Sequence, residues 1–272
     1  MNRKTDRPRY LIICALLILL PAPVLASRLD IHILDVGEGQ AVLLHQQQDA
    51  ILIDTGHAGH SAGVLRKMAS LGIKRLDTLI LTHLHPDHAS GYFRIHEAYP
   101  AARVLSNCHP VQTTQFLDMS RWVDEALQAN PRHRCIRRGY TQTWLDSRIE
   151  ALWPNQIPAN EHNLNRYSLV LQIEHAGKRL LIMGDADKTS EGELLKLSTP
   201  EAVDILVVGH HGAADASSED WLRAVRPKTA VVSINRDNKR HYPAAETLQR
   251  VQRMSESLFT TAESGDLHFV FE

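Results

Sequence analysis

Between residues 82 and 88 the chain reads Thr82-His83-Leu84-His85-Pro86-Asp87-His88. Three imidazoles and a carboxylate this close together are too polar to be buried without partners. Imidazole nitrogen and carboxylate oxygen are the donor set expected for zinc, manganese or iron. A lone histidine is more often structural; four such residues in one short loop after an apolar run point to metal. Other apolar runs also end on polar residues. They are Asp54 in Ile53-Asp54-Thr55-Gly56, Asp185 in Met183-Gly184-Asp185, and His210 and His211 in Val208-Gly209-His210-His211-Gly212. The flanking glycines let the backbone turn sharply after each run. Two divalent ions held by such residues lower the pKa of a shared water toward ~7 and stabilise charge on an attacked oxygen. This chemistry needs no side-chain nucleophile, so Ser90 and Ser217 near the motifs read as structural.

The elements that must carry these residues are short and alternate in type. Leu29–Leu34, Val42–His45 and Ile51–Ile53 read as paired strands separated by Gly- or Asp-containing turns. A helix over Ala62–Leu71 stops at Gly72, and Leu76–Leu81 reads as a buried strand. Thr113–Gln128 has helical spacing that predicts one buried face of Phe116, Met119, Trp122, Val123 and Leu127. Strands follow near Arg148–Trp153, Ser168–His175, Arg179–Met183, Ile205–Val208, Ala230–Ile234, Leu258–Thr260 and Leu267–Phe271. Helices are expected at Ser190–Leu197, Ser218–Val225 and Ala244–Ser255. Hairpin strands mixed with strand–helix–strand units make a single α/β domain, with helices outside two stacked sheets.

Composition narrows the partners. The 272 residues carry Lys+Arg 30 against Asp+Glu 31, a net charge of −1, so any polyanionic substrate must be held locally. No long apolar run follows the N-terminus, which excludes a polytopic membrane protein. The N-terminus itself reads as an export signal over residues 1–26: Arg3, Lys4, Arg7 and Arg9, the apolar run Tyr10 to Leu20, then Val24-Leu25-Ala26. That run is about half the ~20 residues a spanning helix needs. Cleavage after Ala26 leaves residues 27–272 as one domain, periplasmic or extracellular, with no stable membrane insertion. It also leaves Cys108 and Cys135 in an oxidising compartment, where pairing closes a loop worth roughly 3–4 kcal/mol. Two separate buried thiols are the alternative.

The constellation His-x-His-x-Asp-His, preceded by Asp-Thr-Gly and followed by Gly-Asp and a strand-end histidine, resembles the metallo-β-lactamase superfamily. The finer wording resembles its competence-protein branch, the hydrolase-like domain of ComEC. It is carried by Leu34-Asp35-Val36-Gly37-Glu38-Gly39-Gln40-Ala41, Asn165-Arg166-Tyr167-Ser168-Leu169-Val170-Leu171, Gly209-His210-His211-Gly212 and Thr261-Ala262-Glu263-Ser264-Gly265. The resemblance implies a four-layered αβ/βα sandwich with two metal ions, zinc first and manganese or iron as alternatives, at the shared edge of two sheets. By the family's pattern His83 and His85 bind the first metal, Asp87 and His88 the second, Asp185 bridges, and His210 completes the second site, with His211 competing for that place. Many relatives have a third histidine where this chain has Asn165; His162 is a substitute. Asp54 takes the supporting position behind the metal loop, and His241 stands one residue from a place where the branch often has a His-Pro pair.

Three features depart from, or lie outside, that pattern. Glu38 and Gln40 replace the branch's glutamine and aspartate, changes that bear on the substrate mouth. His57 and His60 read as surface histidines beside Asp54. The run Arg132-His133-Arg134-Cys135-Ile136-Arg137-Arg138 is either a phosphate contact or a solvated charged face. The expected activity is metal-dependent hydrolysis in which Asp87 and Asp185 take part, with a phosphodiester of nucleic acid or cell wall as the substrate implied by the resemblance. Hydrolysis of a β-lactam, amide or ester by the same site is the alternative. A non-catalytic binding module has no need to keep the ligand set.

Overall fold

Each half of the chain begins with strands that lie antiparallel and continues with strand–helix–strand crossovers, and each half builds one sheet except that the last strand joins the first. A computed structural model describes residues 28–111 and 118–272. The expected signal at 1–26 and the Phe116 end of the predicted helix lie outside the described residues. The first half supplies β1 (Leu29–Ile33), β2 (Val42–Gln46), β3 (Asp49–Ile53), α1 (Ser61–Ser70), β4 (Arg75–Leu81), the single turn α2 (Pro86–Ala89), α3 (Tyr92–Ala98), β5 (Arg103–Ser106), α4 (Asp118–Ala129) and β6 (His133–Cys135). The second supplies β7 (Thr141–Trp144), β8 (Ser147–Trp153), β9 (Val170–His175), β10 (Lys178–Ile182), α5 (Lys188–Leu197), β11 (Ile205–Val207), α6 (Glu219–Val225), β12 (Thr229–Val232), α7 (Ala245–Met254), β13 (Ser257–Thr260), α8 (Thr261–Ser264) and β14 (Leu267–Phe271).

Among the described residues these strands form two seven-stranded sheets, ordered β14-β1-β2-β3-β4-β5-β6 and β13-β12-β11-β10-β9-β8-β7. The last strand crosses back to pair antiparallel with β1, so the C-terminus locks onto the first sheet. Side chains alternate across a strand, and the sorting is clean. Ile31, Ile33, Ile51 and Ile53 meet Ile149, Leu171, Ile173 and Ile182 in a core between the sheets. Leu43, Leu52 and Leu79 face the opposite way and pack with Val64, Met68 and Ile95 from α1 and α3. Leu181, Leu206 and Val232 do the same with Leu194, Trp221 and Val251 of α5, α6 and α7. The order helix, sheet, sheet, helix is the four-layered sandwich the resemblance implies.

One expectation needs correction. Trp122 is 50% exposed, while Ser120, Val123 and Leu127 form the buried face of α4. Trp122 lies about 100° around the helix from Val123, enough to carry it to the solvent side. The basic run keeps Arg132, Arg134, Arg137 and Arg138 exposed, as a solvated charged face would, while His133–Cys135 within it pairs parallel with β5 as the edge of the first sheet. Cys135 there is disulfide-bonded to Cys108, which follows β5, with Cα atoms 5.3 Å apart. Among the described residues no helix is long and apolar enough to cross a membrane.

Candidate functional site

The turn after β4 is built to present side chains. Thr82 and His83 are fully buried as the strand ends, and Pro86 at the first position of α2 fixes φ where the helix begins. His85 before it is extended, the conformation a following proline favours. Asp87 and His88 then fall on the buried side of one helical turn. Asp54 follows β3 in a left-handed conformation and lies fully buried beneath this loop. Its carboxylate accepts the Thr82 amide at 2.7 Å, the Thr82 hydroxyl at 2.8 Å and Gln40 Nε2 at 2.8 Å. His88 Nδ1 lies 2.7 Å from Asp54 Oδ2, which accepts its proton and leaves Nε2 facing into the site.

The second sheet faces this loop with Asp185 and the His210-His211 turn. Gly184 has φ 51°, and a Cβ there would sit 2.2 Å from Ser168 Oγ, so only glycine allows the turn into Asp185. Ser168 Oγ accepts the Asp185 amide at 3.0 Å and lies 3.3 Å from His83 Nδ1, tying the two halves together. His210 and His211 are both left-handed, at φ 49° and 51°, and consecutive residues in that conformation splay their rings apart. His211 Nδ1 donates to the Ser233 carbonyl at 2.8 Å, and its Nε2 reaches within 3.1 Å of His88 Nε2 and 3.9 Å of Asp87 Oδ2. His210 turns the other way. Its Nδ1 meets Asp215 Oδ1 at 3.0 Å, and its Nε2 lies 3.0 Å from Asn165 Nδ2 and 3.9 Å from Asp185 Oδ2.

Asp185 is the meeting point. Its Oδ1 lies 3.0 Å from His88 Nε2 and 3.5 Å from His211 Nε2, and its Oδ2 lies 3.6 Å from His83 Nε2. Donor atoms of His83, His88 and Asp185 fall within 4.8 Å of one another, as do those of Asp87, His88 and His211. His85 stands beside the first group, its Nδ1 3.0 Å from His83 Nε2. Where the resemblance puts His210 with Asp87 and His88, the structure puts His211. His210 instead joins the side of His83 and Asn165, where the histidine common in relatives is missing. His162 is exposed in its loop, and His241 is exposed as well; Tyr242, not His241, packs its ring 5.5 Å from that of His210.

Electrostatics match a site for cations. Burial, then the neighbouring His88, holds His83 well below the ordinary imidazole range, and burial also lowers His85, so both present neutral nitrogen. His88 is raised well above that range: burial opposes its charge, but the Asp185 and Asp54 carboxylates outweigh it. Asp185 is held well below the carboxylate range, with burial opposed by His88, His211 and His83. Asp185 Oδ1 nevertheless makes no hydrogen bond of good geometry among the described residues. A buried carboxylate oxygen 3.0 and 3.5 Å from two imidazole nitrogens, each ring held by its far nitrogen, is what a divalent ion's ligands require. The donors fit metal.

A cleft of about 350 Å³ opens beside Asp87, bordered by Glu38, His57, His60, Asn235 and Arg240. Arg240 was passed over in the sequence. Its Nε pairs with Glu38 Oε1 at 2.9 Å and its Nη1 lies 3.3 Å from Asp87 Oδ2. Only its position beside His241 could have drawn attention to it. The two departures at 38 and 40 thus part ways: Glu38 shapes the cleft, whereas Gln40 is buried against Asp54.

Residues 34–234 match the metallo-beta-lactamase superfamily, and the chain belongs to it. Its relatives include ComE operon protein 3 of Bacillus subtilis, 28% identical over 92% of this chain and 34% of that protein. Recombination protein 2 of Haemophilus influenzae is 29% identical over 89% of this chain and 29% of its own length. Competence protein ComA of Neisseria gonorrhoeae is 28% identical over 92% and 33%. The chain therefore spans about a third of these relatives. Among solved structures, the metallo-beta-lactamase fold protein YhfI of Bacillus subtilis superposes with a TM-score of 0.58 at 10% identity, covering 90% of this chain and all of that one. Igni18, a metallo hydrolase of Ignicoccus hospitalis, gives 0.56 at 13% identity, with the same coverage. At these identities the likeness speaks for the fold.

Proposed function

We propose that the chain is an exported, metal-dependent phosphodiesterase. The observation that carries this reading is Asp185, a buried carboxylate whose two oxygens face imidazoles from both halves of the fold. His83, His85, His210 and Asp185 would hold one ion, and Asp87, His88, His211 and Asp185 a second. Bound there, divalent ions would supply an acidified water and positive charge against the attacked oxygen. The protein's own groups do the rest. Asp54 and the Ser233 carbonyl hold His88 and His211 with Nε2 inward. Asp87, at the cleft, accepts the proton that the attacking water loses. Arg240 offers a guanidinium that can leave Glu38 for a phosphate oxygen at the mouth.

The relatives named for competence and recombination favour nucleic acid over cell-wall phosphodiesters. Export rests on the pattern of residues 1–26. The test is to strip the purified protein of metal, restore Zn2+ or Mn2+, and assay a bis-aryl phosphodiester beside a cephalosporin. Metal-dependent cleavage of the phosphodiester is expected. Cleavage of the cephalosporin alone would replace this reading with a lactamase, and turnover untouched by metal removal would end both.

A further inference from the structure

A second group of imidazoles stands on the first sheet, sharing no residue with the site above. Asp30 and His32 lie two apart on β1, so they share a face. His268 of β14 pairs directly opposite His32, and His45 of β2 directly opposite Asp30. Their neighbours Ile31, Leu44 and Phe269 belong to the core between the sheets, which puts all four polar side chains on the outer face. His32 is the middle of a stack. Its ring is 4.3 Å from that of His268 and 5.2 Å from that of His45, nearly parallel to both. His32 Nε2 and His45 Nε2 approach to 3.2 Å. His268 Nε2 lies 2.6 Å from Asp30 Oδ1, and donor atoms of Asp30, His32 and His268 fall within 4.8 Å of one another.

From this convergence we infer a further metal site, in which His32, His45, His268 and Asp30 bind one first-row transition-metal ion such as Zn2+. Three imidazole nitrogens and a carboxylate oxygen are a tetrahedral zinc donor set. The directly opposite pairs His32/His268 and Asp30/His45 have Cβ atoms about 4.5–5.5 Å apart, and His45, on the far side of β1 from His268, joins the group through its 3.2 Å approach to His32 Nε2. Two Nε2 atoms 3.2 Å apart need a proton shared between them or a cation. The rings are kept in the form a metal needs: burial, then His268 and His45, push His32 down to about 4, and burial lowers His45. His268 is the open side, with 44% of its side chain exposed.

The cations nearby are accounted for. Lys67 of α1 faces His32 but pairs with Asp266 at 2.7 Å. Arg28 grips Asp30 through both oxygens, and its Nε contact to Oδ2 at 2.9 Å persists if Oδ1 turns to an ion.

The test is equilibrium dialysis of the full chain against Zn2+, with bound metal counted by mass spectrometry. Wild type is expected to hold one equivalent more than His268→Ala and one more than His45→Ala, with circular dichroism and phosphodiester turnover the same in all three. Asp185→Asn should lose zinc from the other cluster and keep this equivalent, so failure of either site is read separately. Equal zinc content in wild type, His268→Ala and His45→Ala would overturn the inference. So would loss of this equivalent in Asp185→Asn, because the zinc would then belong to the other cluster.

Discussion

The two halves of the fold furnish the same site in different ways. The first half delivers four side chains from one loop after β4, steadied by a single buried carboxylate, Asp54. The second half delivers one strand end at a time: Asp185 after β10, the His210-His211 turn after β11, and the Ser233 carbonyl after β12. A contiguous ligand loop is fixed by local geometry and one anchor. A distributed one depends on how three crossovers pack, and its anchors are spread between Ser168, Ser233 and Asp215. Damage should therefore be concentrated in the first half and divisible in the second.

Asp54→Ala should do the most harm. It strips four donors of their acceptor at a fully buried point, a loss of about 3–5 kcal/mol expected for breaking a buried charged pair. Urea unfolding would register it, and a change under about 1 kcal/mol would mean that the loop holds itself. His211→Ala and His210→Ala should then separate. The first should lose the ion shared with Asp87 and His88, the second the ion shared with His83. Metal counts and anomalous scattering distinguish the two, and loss of the same ion in both variants would undo the division.

Glu191 gives a smaller effect with a pH signature. It is buried in the first turn of α5, where it accepts the amides of Ser217 at 2.6 Å and Ser218 at 2.7 Å, bracing the loop that follows His211. Burial raises it above its ordinary 4.5 despite those donors. Just above pH 4.5 the folded chain therefore keeps a proton that the unfolded chain releases, so stability falls as pH rises through that window. Glu191→Gln should flatten this slope and cost about 1–3 kcal/mol for one unpaired amide; an unchanged slope would show that Glu191 does not titrate there. Smallest of all, His57→Ala should leave metal content and turnover almost as they are. His57 is exposed and caps only the neighbouring turn through Gly59, so a missing ion in that variant would mean a misplaced ligand.

The same contrast explains what could be read from the sequence. Short apolar runs bounded by turns located β1, β2, β3 and β4, and the polar loop after β4 announced itself because its chemistry is adjacent in the chain. Strands β5, β6 and β7 escaped notice. They are three or four residues long, and β6 is made of His, Arg and Cys, whose edge position owes nothing to hydrophobic pattern. His210 and His211 could not be told apart, since the backbone angles that splay them depend on the packing of Gly209 against Ala186, a tertiary contact. Arg240 reaches Asp87 across 153 residues of chain, a distance that no local signal spans.

The central claim is that one carboxylate joins the two halves into a metal-dependent site. Metal content and phosphodiester turnover of Asp185→Ala, compared with wild type at matched circular dichroism, test it directly. The account predicts loss of turnover together with loss of bound metal, because two adjacent cations would lack the negative charge between them. Full metal occupancy with an unchanged rate would contradict it.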